Sequence, residues 1–306
     1  MDAVYLLTQL LNGLQFGFML FLMAAGLTLV FGIMNLLNLA HGSFYMVGAY
    51  LAAAAQGWTG SFVLGVLIAL PLTVLVGIAV EVIVFRRLYA RDHLDQVLAT
   101  FGLILFFNEL VRIVFGPQPL YMALPDALGG QVEILPGVPY PTFRLAITGV
   151  GIAVAIGLAW LIRRTRLGML IRAGASNRTM VQVMGVDIAL LYTLIFGLGA
   201  ALAGLAGMMA GPILAVEVGM GETILILTFV VVVIGGLGSI RGALVAALLV
   251  GVVDTFARTL LPFLLYAMMS PQAVASLAPA LSSAMIYVLM ALVLIVRPQG
   301  LLPAHA

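Results

Sequence analysis

Apolar runs long enough to cross a bilayer recur from one end of the 306-residue sequence to the other. About 20 apolar residues span the hydrocarbon core of a membrane. Only 8% of the residues are charged, where a water-soluble domain carries about 25%, so the apolar excess has no water-facing shell to hide beneath. The chain reads as an all-α polytopic integral membrane protein, a single transmembrane domain over residues 1–306. Breaks in the runs place nine segments, at 5–34, 42–56, 60–85, 98–115, 144–162, 188–214, 223–235, 242–260 and 281–296, within bounds of eight to ten. The second, seventh and ninth are too short for a full crossing and read as broken or half-spanning helices.

The composition removes whole classes of chemistry. There is no cysteine, hence no disulfide, haem attachment or thiolate metal site. All 13 basic residues are arginine, which excludes a P-loop lysine, a Schiff-base lysine and a lysine general base. His41, His93 and His305 are far apart, no HExxH occurs, and "GGLGSIRG" is not a dinucleotide fingerprint. No catalytic residue, metal site or cofactor of the chain's own is expected. A net charge of +2 gives no reason to expect nucleic acid. The first twenty residues lack a basic n-region and a small-residue cleavage site, so the run from Tyr5 reads as a retained membrane helix.

Arginine placement sets the expected orientation. Arg86, Arg87 and Arg91 fall in one loop and Arg163, Arg164, Arg166, Arg172 and Arg178 in another, both cytoplasmic by the positive-inside rule. Two crossings separate them and four more lead to Arg297, which puts the C-terminus inside and the N-terminus outside. Ten arginines then lie inside and three (Arg112, Arg144, Arg258) outside. The stretch 116–143 falls outside, and its six prolines favour a stiff, ordered loop. It is either a connector or a docking surface.

Polar residues interrupt two of the apolar regions. In "FGIMNLLNLAHGSFYMVGAY", Asn35, Asn38 and Gly42 share a narrow stripe with His41 beside them. They either knit neighbouring helices by hydrogen bonds or mark a break lining a water-filled path, since irregular backbone at membrane depth needs protein or water around it. A second break falls at Gly235, Gly236 and Gly238. Paired interruptions of this kind point to a transport path.

The remaining features are structural. Gly197, Ala200, Gly204, Gly207 and Gly211 form a small-residue stripe that invites close helix packing. Pro71 should kink the third segment, and Glu109–Arg112 and Asp254–Arg258 stand at ion-pair spacing. In "AGASNRTMVQVMGVD", Ser176 can cap a helix of about nine residues that Gly185 stops. Asn177, Met180, Val181 and Met184 would share its apolar-leaning face. So short a helix would lie along the inner surface.

The stretch "GLTLVFGIMNLLNLAHGSFYMVGAY" resembles the N-terminal signature of bacterial branched-chain amino-acid ABC importer permeases of the LivH type. "IRAGASNRTMVQVMGVDIALLYTLIFGLGAALAGLAG" is similar to that family's coupling region, and "VVVIGGLGSIRGALVAALLVG" with "RPQGLL" to its C-terminal pattern. Ser176-Asn177-Arg178 departs from the acidic residue often found there. The resemblance implies an ABC importer permease fold in the bacterial inner membrane, with substrate passing at Asn35, Asn38, His41, Gly42, Gly235, Gly236 and Gly238. It makes 163–187 the ATPase-coupling segment, with Arg172, Ala175, Ser176, Met180, Met184 and Gly185 at its surface. A second, LivM-like permease, two cytoplasmic ATP-binding subunits using ATP and Mg, and a periplasmic binding protein would be the partners. The cargo would be branched-chain or other apolar amino acids. Urea or short amides are the alternative, and an ion-coupled secondary carrier a more distant one.

Overall fold

The computed structural model describes residues 3–89, 91–135, 137–267 and 269–303; Pro136, His305 and the side chain of Arg178 lie outside the described part. α1 (Ala3–Met34) is followed by α2 (His41–Thr59) and α3 (Phe62–Val80), which runs on through a π turn at Glu81–Phe85 into the single turn α4 (Arg86–Leu88). α5 (His93–Phe115) leads to a hairpin of β1 (Gln131–Leu135) and β2 (Val138–Pro141). Then come α6 (Thr142–Arg164), α7 (Arg166–Val183), α8 (Ile188–Ala210), α9 (Met220–Gly235), α10 (Ile240–Tyr266) and α11 (Pro271–Val296). Seven of these rods are long and apolar enough to cross a membrane, and α9, at 16 residues, is not.

α1 is the axis of the bundle. A helix apolar on every face has to be surrounded, and α1 is buried all round from Met19 to Val30. Its neighbours reach it through glycine. A Cβ at Gly13 would stand 2.8 Å from Val252 Cα, and one at Gly17 the same distance from Leu248 Cα, so α1 and α10 run antiparallel with backbones nearly touching. The small-residue stripe of α8 does the same for α2 and α3: Gly204 meets Gly48 and Thr73, Gly207 meets Tyr45, and Ala200 meets Gly77. With lipid as apolar as leucine, such close van der Waals approach is a main source of helix association.

The two ends of the bundle differ. At one, the chain between α5 and α6 is strapped down: Leu120 and Val216 exchange backbone hydrogen bonds of 2.9 Å, and the Gln56 amide donates to Ala123 O at 2.8 Å. The described residues of the Pro-rich stretch thus form an ordered cap. α1 starts at this end, where Arg144 donates to Asn12 Oδ1 at 2.7 Å. The other end carries Arg86, Arg87, Arg91, Arg163, Arg164, Arg166 and Arg241. The last described residues reach it too, through Leu301 N to Ile234 O at 2.8 Å.

Two expectations need correction. The ninth segment is no half-helix, because α11 has 26 residues. Pro271 opens it at the first turn, where a missing N–H costs nothing. Pro279 and the serines beyond it do not break it, since neighbouring groups can satisfy a membrane helix locally; Ser282 donates to Ala257 O on α10 at 3.2 Å. The second segment extends to 19 residues, whereas α9 stays short.

Candidate functional site

The first break begins where Asn35 adopts φ +51°, a left-handed conformation that Asn tolerates better than most residues. Its N–H still closes on Phe31 O at 2.9 Å, and α2 restarts six residues later at His41, one residue before Gly42. His41 is a buried peg: its Nε2 donates to Met23 O on α1 at 3.2 Å, and Gly26 leaves room for the ring. Asn38 is wholly buried, and neither end of its amide has a partner among the described residues. His41 therefore knits helices, as one reading of the sequence expected, while Asn38 is a polar group still in search of a bond.

Gly42 has a different task. A Cβ there would collide with Gly221 O, and a Cβ at Gly221 with Gly42 O. The starts of α2 and α9 therefore cross backbone against backbone. Beside the crossing, Leu39, Gly42, Ser43, Met46, Ile104, Asn108, Gly221, Glu222 and Leu225 surround a shallow depression too tight to hold a water molecule.

At the second break, Gly236 and Gly238 take φ of +100° and +80°, which favours glycine strongly. Gly235 faces Gly242, and a Cβ on Gly236 would stand 2.9 Å from Gln299 O. "RPQGLL" thus folds back on this turn, with Leu302 N bonded to Gly235 O at 3.1 Å. Gly235 and Gly236 are places where backbone meets backbone. Gly238 is half-buried, with its backbone close to Gly32; with Phe31, Gly32, Ile33, Asn35, Gly174, Ala175, Ser176, Asn177 and Leu237 it lines a cleft of about 460 Å³ at the arginine-rich end. Residues from both breaks, Asn35 and Gly238, thus meet Ala175 and Ser176 of α7 in one groove.

α7 spans 18 residues, longer than the expected helix of about nine, but it is kinked at Asn177 (φ −154°, ψ 92°). Asn177 Oδ1, not Ser176, accepts from Met180 N at 2.9 Å and caps the second piece. Gly185, at φ +85°, ends it. Val181 turns inward, and Val183 takes its place beside Met180 and Met184 on an exposed apolar tip; Arg172 is exposed on the same helix. Asp187 then caps α8 by accepting from Ala189 and Leu190 N–H at 2.9 and 3.1 Å.

The sequence reading missed a carboxylate beside this end. Glu81 is fully buried in the π turn, and it accepts from Tyr89 Oη and Thr193 Oγ1 at 2.6 Å each and from Arg86 Nη2 at 3.3 Å. Positions 81 and 86 do not face each other on an α-helix, and the i→i+5 bonding of a π turn brings them together. Burial and the bond to Glu81 hold the Tyr89 hydroxyl well above the usual phenol range. The cluster ties α3 to the second turn of α8, next to α7. Glu81→Ala should cost about 2–3 kcal/mol, less than for a fully buried pair because Arg86 is partly exposed. Heat denaturation in detergent checks this, and an unmoved midpoint would show that the cluster stabilises nothing. The expected pairs Glu109–Arg112 (2.7 Å) and Asp254–Arg258 (2.9 Å) both form.

Comparison with known proteins adds the following. A family model described as branched-chain amino acid transport system / permease component matches residues 9–294. The chain is 32% identical over 269 residues to the high-affinity branched-chain amino acid transport system permease protein BraD of Pseudomonas aeruginosa, covering 83% of this chain and 87% of that one. It is 28% identical over 319 residues to LivH of Salmonella typhimurium, a permease protein of the same description, with 98% and 96% covered. The ribose import permease protein RbsC of Escherichia coli is similar at 26% over 258 residues, 81% and 77% of the two chains. No solved structure matches.

Proposed function

The chain belongs to the family of branched-chain amino acid transport system permease components, and from that premise we propose that it is the membrane-spanning subunit of an ATP-driven importer for branched-chain or similarly apolar amino acids. The observation that carries this reading is the groove joining both helix breaks to α7, whose exposed Met180, Val183 and Met184 form an apolar tip. A permease without a nucleotide-binding motif needs a surface through which ATP hydrolysis elsewhere can move its helices. An apolar tip at the arginine-rich end is suited to seat a cytoplasmic ATP-binding subunit that carries the ATP and Mg.

In this reading the arginine-rich end is cytoplasmic, the C-terminus lies there, and the N-terminus is periplasmic in a bacterial inner membrane. Arg172, Ala175, Ser176, Met180, Met184 and Gly185 form the coupling surface. The hairpin and its strapped loop receive a periplasmic binding protein, and a second, LivM-like permease faces this chain across the passage. Asn35, Asn38, Gly42 and Gly238 border the moving break. His41, Gly235 and Gly236 hold its walls.

The test is purification of the tagged chain in mild detergent with its companions. Recovery of two ATP-binding subunits and a second permease supports the reading. A chain recovered alone that still transports under an ion gradient is a secondary carrier instead. Because a relative is a ribose permease, the recovered complex should be supplied with leucine, urea and ribose. Uptake of urea or ribose without leucine would move the cargo away from apolar amino acids.

A further inference from the structure

The depression where α2 and α9 begin lies inside the membrane. Asn108 is about 22 Å from the His93 end of α5 and about 10 Å from Phe115, at ~1.5 Å per residue. Gly42, against Gly221, follows His41, which is bonded to Met23, about 16 Å from the end of α1 on the same rise. Both marks fall within an apolar slab about 30 Å thick.

Glu222 sits at this depth, in the first turn of α9, and its side chain is exposed. Oε1 accepts from Asn108 Nδ2 at 2.5 Å. Among the described residues the ion pairs are Glu81–Arg86, Glu109–Arg112 and Asp254–Arg258, so no cation pairs with Glu222. The helix start favours a carboxylate electrostatically but does not cover it. A carboxyl group exposed at membrane depth does not face lipid; it faces a watery passage or another protein. Its Asn108 partner spends an N–H on it, and among the described residues the Asn108 carbonyl oxygen accepts no hydrogen bond.

An ammonium group has three donors and no acceptor, and a carboxylate next to a free amide carbonyl is its complement. We propose that Glu222, oriented by Asn108, is the subsite that takes the α-ammonium group of the transported amino acid. This assignment rests on the importer reading above, and it adds a specificity determinant within the membrane.

The test uses the whole complex in vesicles with ATP on the cytoplasmic side and leucine-loaded binding protein on the other. Glu222→Gln should lower leucine uptake at least tenfold, Glu222→Asp should restore part of it, and Asn108→Leu should fall between. In all three, stimulation of ATP hydrolysis by the loaded binding protein should stay within twofold of wild type, which a damaged fold would not allow. The chain has no cysteine, so Glu222→Cys provides a single thiol in it; a membrane-impermeant cationic thiol reagent should label it. Full uptake by Glu222→Gln, or no labelling of the Glu222→Cys variant, would overturn the subsite. Absence of amino-acid uptake by the wild-type complex would instead overturn the importer reading, so the two failures are distinguishable.

Discussion

Leucine in place of Gly42 is expected to impair transport strongly while the chain still inserts. The added Cβ falls on Gly221 O, a backbone atom at the start of a short helix, so neither partner can turn aside as a side chain would. Overpacking a tight interior costs about 1–3 kcal/mol, and contact with backbone belongs at the upper end. The starts of α2 and α9 would be pushed apart, and with them the depression beside Asn108 and Glu222. Uptake should fall about tenfold or more, since ~1.4 kcal/mol corresponds to one factor of ten. Gly57→Leu is the control: it lies on the same helix with no heavy atom within 4 Å of the added Cβ. Equal uptake by the two variants would mean that the crossing of α2 and α9 is plain packing without consequence for passage.

A second large effect is expected at the tip of α7. Met180 and Met184 expose 57% and 77% of their surface, and their joint replacement by glutamate leaves the bundle itself untouched. Buried apolar anchors of an interface contribute about 2 kcal/mol or more each, which is about thirtyfold in affinity. The double variant should insert normally, fail to retain the ATP-binding subunits through purification, and lose ATP-driven uptake. Arg172→Glu on the same helix should weaken coupling without that loss of assembly. Retention of the subunits by the double variant would place the coupling surface elsewhere.

Much of this fold could be read from local sequence because the membrane makes it local. Apolar length alone located α1, α3, α5, α6, α8 and α10, and the arginines marked one end of them. The start of α11 could not be read, because Pro271 and Pro279 look like breaks until neighbouring helices are known to satisfy the backbone around them. The helix break at Asn35 was legible from its polar residues. Their division of labour was not: that His41 pegs α1 while Asn35 opens on a cleft depends on which helix lies opposite. Gly235 and Gly236 looked like an open break because the tail that covers them lies far along the chain, at Gln299 to Leu302. Glu81–Arg86 was hidden by its i, i+5 spacing, which only a π turn makes close. Asn108 and Glu222, 114 positions apart, offered no local sign of their meeting.

The central claim is that this chain is a passage worked by ATP hydrolysis on other subunits acting through α7. The most direct measurement is leucine uptake into proteoliposomes, comparing the chain alone with the complete complex, each with and without ATP at the arginine-rich face. The account expects uptake only from the complete complex with ATP, and its loss when Met180 and Met184 become glutamate. Uptake at the full rate by the isolated chain, without ATP, would contradict it.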